Sequence, residues 1–246
     1  MIGKLNIWLT CLLAMIVAVL IAGCGPKVKV GYQDASFTPA AISARGLAIG
    51  GIAWRVDDQD SSGTIQAAMD SILWMRLTKD LKDVHVKPVL YLRSALGEVS
   101  YRQLMNSYDR PGNLTSQSGA TLKGAVGEAS PYIIFGRIDQ NKMTTERADI
   151  STSTSEQFVN ITTRRLEGEF RVYDSESGQL VWHGRLTAWK SSGKDDSEKN
   201  QPGFLEEILS SALFGGEPES EFPDPPSVAA VAWKLYGGLT KVFSRR

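Results

Sequence analysis

An α/β fold, a mixed sheet with a long antiparallel hairpin and helices packed against it, follows from three stretches of the sequence. Ile65, Met69, Ile72, Leu73, Leu77, Leu81 and Val84 recur at three- and four-residue spacing. That period predicts a long amphipathic helix from Ile65 to about Asp83. Tyr132 to Ile138 (YIIFGRI) is a nearly unbroken apolar run of strand length, as a strand covered on both faces requires. Further on, Leu166, Gly168, Phe170 and Val172 alternate with Arg165, Glu167, Glu169 and Arg171. The turn residues Asp174-Ser175-Glu176-Ser177-Gly178 then lead into Leu180, Trp182, Gly184, Leu186 and Ala188, a second half-solvated strand. A long helix, a buried strand and a half-solvated hairpin combine as helices over one sheet.

The chain opens differently. Lys4 precedes an apolar stretch, Ile7 to Ala22, that is shorter than the roughly 20 residues plus flanks of a comfortable membrane span. Gly23-Cys24-Gly25-Pro26 breaks a helix at once, and no basic cluster marks a stop-transfer border. This reads as a secretory signal. Ile21-Ala22-Gly23-Cys24 resembles the bacterial lipobox, and the resemblance implies cleavage between Gly23 and Cys24, diacylglycerol transfer to the Cys24 thiol and N-acylation. Each buried methylene contributes about 0.8 kcal/mol, so three chains hold a protein to a leaflet almost permanently. Gly25 follows the cysteine where lipoproteins kept in the inner membrane carry Asp. By resemblance, that implies sorting to the outer membrane, with the chain on its periplasmic face.

The expected organisation is a signal peptide (1–23), a lipid-anchored flexible tether (24–45) and a single periplasmic α/β domain with a C-terminal helical extension (46–246). Gly25 to Arg45 shows no sustained period, and as a coil it would span roughly 25 Å. Gly46 to Arg55 reads as a buried strand in which Gly50 and Gly51 admit a close neighbour. Val86 to Leu92 reads as an edge or bulged strand because Pro88 lacks a ladder donor. Residues 96–108 and 115–128 read as helices separated by Asp109-Arg110-Pro111-Gly112. Asp139 to Glu156 reads as a long hairpin tip or loop, and Ser191 to Gln201 as charged loop. Phe204 to Leu213 gives a short amphipathic helix, Glu217 to Pro226 a connector, and Val228 to Phe243 a last helix interrupted at Gly237-Gly238.

Composition narrows the class. The 27 basic and 27 acidic residues balance. Nothing in that balance points to nucleic acid or another polyanion. The two cysteines are Cys11, inside the signal, and Cys24, so the folded part carries no disulfide and rests on its core.

Tyr132-Ile133-Ile134-Phe135-Gly136-Arg137-Ile138, then Phe170-Arg171-Val172-Tyr173-Asp174, Ser177-Gly178 and Val181-Trp182 carry a further likeness. The pattern resembles outer-membrane lipoproteins of the curli secretion channel type and the penicillin-binding-protein activator lipoproteins, across roughly Gly46 to Ala188. The resemblance implies a fold like the anticodon-binding domain or the amino-terminal domain of TolB, and oligomerisation. A lipid-facing hairpin of a channel alternates apolar residues over about 9 to 11 positions. Met143 to Thr163 instead carries Glu146, Arg147, Asp149, Thr152 and Thr154, which is too polar for a membrane wall.

Catalytic constellations are missing from the pattern. His85 and His183 lie on separate predicted strands with no ligand at metal-binding spacing, so neither metal nor cofactor is expected. Gly46, Gly50 and Gly51 lack phosphate-loop spacing, and Asp57, Asp58 and Asp60 lack the rest of a calcium loop. The candidate partner-binding residues are Phe204, Leu205, Ile208 and Leu209 on one helical stripe, with Trp189 and Trp233 as aromatic anchors. The reading that results is a non-enzymatic outer-membrane lipoprotein, a scaffold or regulatory subunit of an envelope assembly in secretion or peptidoglycan synthesis. Its partners are outer-membrane lipid through Cys24, an unidentified envelope protein and further copies of itself. The alternatives are a ring-forming component of a curli-type channel, and an envelope small-ligand carrier or enzyme with a deep polar pocket.

Overall fold

The computed structural model describes residues 25–56, 63–109, 114–125, 131–149, 158–195 and 222–245. Six strands form one sheet: β1 (Lys27–Gln33), β2 (Leu47–Trp54), β3 (Val86–Lys87), β4 (Tyr132–Asp149), β5 (Phe158–Asp174) and β6 (Leu180–Asp195). Their order is β1-β6-β5-β4-β2-β3. β2 lies parallel to β3 and β4, and every other pair is antiparallel. The described helices are α1 (Pro39–Arg45), α2 (Thr64–Asp80), α3 (Val89–Leu96), α4 (Glu98–Asp109), α5 (Ser116–Ala125) and α6 (Val228–Phe243). The α/β class with a mixed sheet is therefore observed.

Alternation along the strands builds two cores. Leu47, Ile49, Ile52, Ile134, Phe170, Trp182 and Leu186 face α2 and α6, meeting Met69, Leu73 and Leu77 from the first and Leu235, Tyr236 and Phe243 from the second. Edge-on aromatic pairs tie this layer, Phe170 with Tyr236 at 5.8 Å and Trp182 with Phe243 at 5.5 Å. Ala48, Ala53, Ile133, Phe135 and Tyr173 face the other way, against Leu92 of α3, Tyr101, Leu104 and Tyr108 of α4, and Leu122 of α5. Each fully buried large side chain contributes about 1.5–3 kcal/mol.

Four expectations are corrected. The segment from Gly25 to Arg45 is part of the fold and not a tether. Lys27–Gln33 adds an outer strand to β6, and Val28 packs against the core beneath it. Thr38 then caps α1, its hydroxyl accepting the Ala41 N–H at 3.2 Å with Pro39 in the first turn. The strand expected over Val86 to Leu92 keeps only two residues. Pro88, at φ −69° and ψ 167°, instead precedes α3, where its missing donor is not needed. Of the two readings of Asp139 to Glu156, the long hairpin holds, with β4 reaching Asp149 and β5 starting at Phe158, whereas the charged loop expected from Ser191 is strand as far as Asp195, because each polar strand finds a ladder partner in the next. Finally, α6 runs through Gly237-Gly238 unbroken. A Cβ on Gly238 would meet Val28 at 2.9 Å, and one on Gly237 would meet Arg76 at 2.9 Å, so small residues there admit β1 and α2.

Phe204, Leu205, Ile208 and Leu209, the Asp57-Asp58-Asp60 group, and the Gly23-Cys24 junction lie outside the described residues.

Candidate functional site

The sheet face that carries Ile133 and Phe135 changes character along its length. The helices α3, α4 and α5 cover its β2 and early β4 portion. Beyond them the same face carries Arg137 on β4, Arg165, Glu167, Glu169 and Arg171 on β5, and His183 and Arg185 on β6. The antiparallel register sets these residues side by side: Arg137 opposite Glu169, Arg171 opposite His183, and Glu169 opposite Arg185. Glu169 is the hub. It accepts from the Arg171 guanidinium at 2.5 Å, from His183 Nε2 at 2.7 Å and from Arg137 Nη2 at 3.4 Å. Its side chain is only 11% exposed, and Arg137 also holds Asp139 at 2.7 Å. Burial alone would raise the Glu169 pKa, but the hydrogen bonds and charges of Arg171, then His183 and Arg137, outweigh it and hold the carboxyl below its ordinary range. Glu167 repeats the pattern toward solvent, with Arg165 at 3.1 Å and Arg185 at 3.5 Å.

This lattice is nearly charge-matched and every acid in it is clasped. It can present a rigid, charged, flat surface to a partner.

A second feature lies at the other end of the sheet. Gln66, Ala67 and Asp70 of α2, Val89 and Arg93 of α3, and Tyr101, Arg102 and Met105 of α4 line an open cleft of about 450 Å³. Helical spacing brings each set to one stripe. β3 pairs only with Leu47 and Ala48, so among the described residues the outer edge of β2 beyond them has no strand. Asp70 Oδ1 takes over there, accepting the Ile52 N–H at 2.8 Å while only 7% exposed. Burial pushes its carboxyl up to about 7, against the opposing pull of that N–H and of Arg93. The close seat of α4 depends on Gly51, whose φ is +136° and whose Cβ would meet Tyr101 Oη at 2.6 Å. At the rim, Glu98 is bound by Arg93 and, at 3.1 Å, by Arg102. Asp70 thus satisfies an edge donor of the sheet.

Trp189 and Trp233, the two candidate anchors within the described residues, are both half-buried, and each lies against two cations. Lys27 Nζ is 5.4 Å and Lys234 Nζ 5.5 Å from the Trp189 ring, while Arg76 and Lys79 sit 4.9 and 5.3 Å from that of Trp233. His85 is exposed. His183 has the acidic neighbour that sequence reasoning did not find, because Glu169 reaches it across the β5–β6 register and not along the chain. Asp70 was also missed. Its signal was a carboxylate wedged between Met69 and Leu73 on the apolar stripe of a predicted helix.

No protein-family model and no curated protein matches the chain. Among solved structures it is similar to the PelC dodecamer from Paraburkholderia phytofirmans, at 14% identity over 90% of this chain and 99% of that one, with a TM-score of 0.34. It is similar to lipoprotein GNA1162 from Neisseria meningitidis, at 13% identity over 69% and 96%, with a TM-score of 0.30. It is also similar to the hypothetical protein CT253 from Chlamydia trachomatis, at 9% identity over 80% and 94%, with a TM-score of 0.40. Likenesses at these scores fix no function. Among the described residues no helix is long and apolar enough to cross a membrane.

Proposed function

We propose that this chain is a non-enzymatic outer-membrane lipoprotein, cleaved after Gly23 and acylated at Cys24, whose periplasmic domain serves as a scaffold or regulatory subunit of an envelope assembly. The observation that carries the reading is Ile21-Ala22-Gly23-Cys24 at the end of the apolar run. The geometry is compatible with it and sharpens it. Because β1 starts at Lys27, only Gly25 and Pro26 separate the anchor from the sheet, at most about 11 Å of chain from Cys24 to Lys27. The domain is held against the membrane and does not hang from it.

The Glu169 lattice supports binding over chemistry, since a surface of mutually satisfied charges can match a partner without rearranging. Self-association is the favoured form of that binding. Among the described residues, β4 beyond Ile138 and β6 beyond Thr187 have no strand on their outer edges, and such edges template the addition of another strand. A curli-type ring is the second reading, on the same edges. Secretion and peptidoglycan synthesis are the two classes of assembly that the resemblance implies.

In-cell crosslinking followed by mass spectrometry tests the proposal. Crosslinks from the exposed residues of β4 to β6 into a second copy or one envelope protein are expected. Crosslinks confined to the chain itself, with a monomeric native mass, would remove the scaffold role.

A further inference from the structure

The cleft between α2, α3 and α4 holds polar groups that the sheet edge does not use up. Asp70 and Tyr101, each 7% exposed, form its floor. Asp70 Oδ1 takes the Ile52 N–H, but Oδ2 has no hydrogen-bond partner among the described residues. The Tyr101 hydroxyl, lying over Gly51, has none there either. Ala67, Val89 and Met105 supply apolar wall. The rim carries Arg93, Glu98 and Arg102, with side chains 48%, 44% and 71% exposed. Two guanidiniums there share the one Glu98 carboxylate, so the rim keeps one positive charge in excess. Arg93 acts on Asp70 through its charge alone, without a hydrogen bond. A carboxyl so deeply buried ionises readily only where a cation comes down to meet it. The cleft is therefore negative at its floor once Asp70 ionises, and positive at its mouth.

We propose that this cleft binds a small zwitterion, an amino acid or a short peptide, with its ammonium on Asp70 Oδ2 and the Tyr101 oxygen and its carboxylate at Arg102 and Arg93. The cleft volume of about 450 Å³ lies within the roughly 300–1,000 Å³ of small-molecule sites. An ammonium brings three donors, and Oδ2 and the Tyr101 oxygen are two acceptors that the fold does not occupy. A guanidinium receives a carboxylate in bidentate form, and Arg102, with most of its side chain in solvent, can turn to do so. The surface of Ala67, Val89 and Met105 suits a small aliphatic side chain. Ligands with a single sign of charge fit worse. A diamine would set its second ammonium against the rim, and a simple carboxylate would leave Asp70 unmatched. The role of Asp70 as a cap on Ile52 accounts for Oδ1 and leaves Oδ2 and the Tyr101 hydroxyl unexplained. Every group in the site belongs to α2, α3 or α4, so the site is independent of the anchoring proposed at Cys24.

The test is ligand-observed saturation-transfer NMR on the full-length protein in detergent, with dialanine as the probe and ethylamine and propionate as its two ends taken separately. Dialanine should bind saturably, and each single-ended compound about tenfold or more weakly. Asp70→Asn keeps an oxygen for the Ile52 N–H but loses the charge, and should weaken dialanine by about tenfold or more. Arg102→Gln, at the exposed rim, should weaken it severalfold and leave the far-ultraviolet circular dichroism unchanged. Affinity should also climb by about tenfold or more from pH 5 to pH 7, as Asp70, pushed up to about 7 by burial, ionises. The charged and titratable groups that face Asp70 hold their states over that range. Arg93 stays charged, Glu98 is held low by hydrogen bonds from Arg93 and Arg102, and burial keeps Tyr101 of α4 and Tyr236 of α6 neutral. No saturable dialanine signal would overturn the proposal. So would dialanine binding that both substitutions leave unchanged, or that ethylamine or propionate equals.

Discussion

At the scale of single residues, Asp70 decides the most. Its pKa is raised by burial, so the native state holds a proton that the unfolded chain releases near pH 4. A raised acid contributes stability below its unfolded pKa, and that contribution is lost as pH climbs through the folded value near 7. Stability measured by urea unfolding should therefore decline from pH 4 toward pH 7 on account of this group. Asp70→Asn, which keeps an oxygen for the Ile52 N–H and cannot ionise, should flatten the decline; equal slopes in both proteins would show that Asp70 is not the cause. Glu169 acts in the opposite sense. Its lowered pKa contributes stability above the ordinary carboxylate range that disappears as acid protonates it. Gly51 is the backbone counterpart of Asp70. Gly51→Ala combines a positive φ with a clash against Tyr101 and Met105, and should cost about 1–3 kcal/mol in the same unfolding assay.

Among the elements, β1 shows why part of the fold escaped the sequence. Lys27-Val28-Lys29-Val30 does alternate, yet the run is broken by Gly31 and followed by Pro39, and only Val28 of the strand is even half-buried. An edge strand that buries so little leaves a weak hydrophobic signature; what holds it is the backbone ladder to β6, which composition does not display. The polar extensions of β4 to β6 were hidden for the same reason. By contrast, α2, β2, β4 and the β5–β6 hairpin were legible because each packs a large apolar face, and period follows burial. The candidate site divides likewise: the Glu167 to Arg171 charges were visible as the polar half of an alternation, whereas their pairing with Arg137 and His183 depends on register. Hydrogen exchange distinguishes a strand from a tether directly. The ladder amides of Lys27–Gln33 should exchange far more slowly than unstructured chain, and exchange at the random-coil rate would return the segment to a tether. Phe243, stacked edge-on against both Phe37 and Trp182, ties this N-terminal segment to α6. Phe243→Ala should lower stability by about 3–5 kcal/mol in thermal or urea unfolding.

In the whole molecule, the lipid attachment proposed at Cys24 stands three residues ahead of the first strand. On the proposed anchoring the Lys27 end of β1 lies toward the lipid, and because Lys27 pairs with Thr187, the polar extensions of β4, β5 and β6 run on past it at that same end of the sheet. Scaffolding by self-association then needs only lateral contact between copies already concentrated on one leaflet, which raises their effective concentration without any new interface area. All of this depends on Cys24. The most direct measurement is the intact mass and N-terminal sequence of the protein extracted from membranes of cells that make it. The account predicts a chain that starts at Cys24 and carries three acyl groups. A chain that retains residues 1–23, or one whose Cys24 is unmodified, would contradict it.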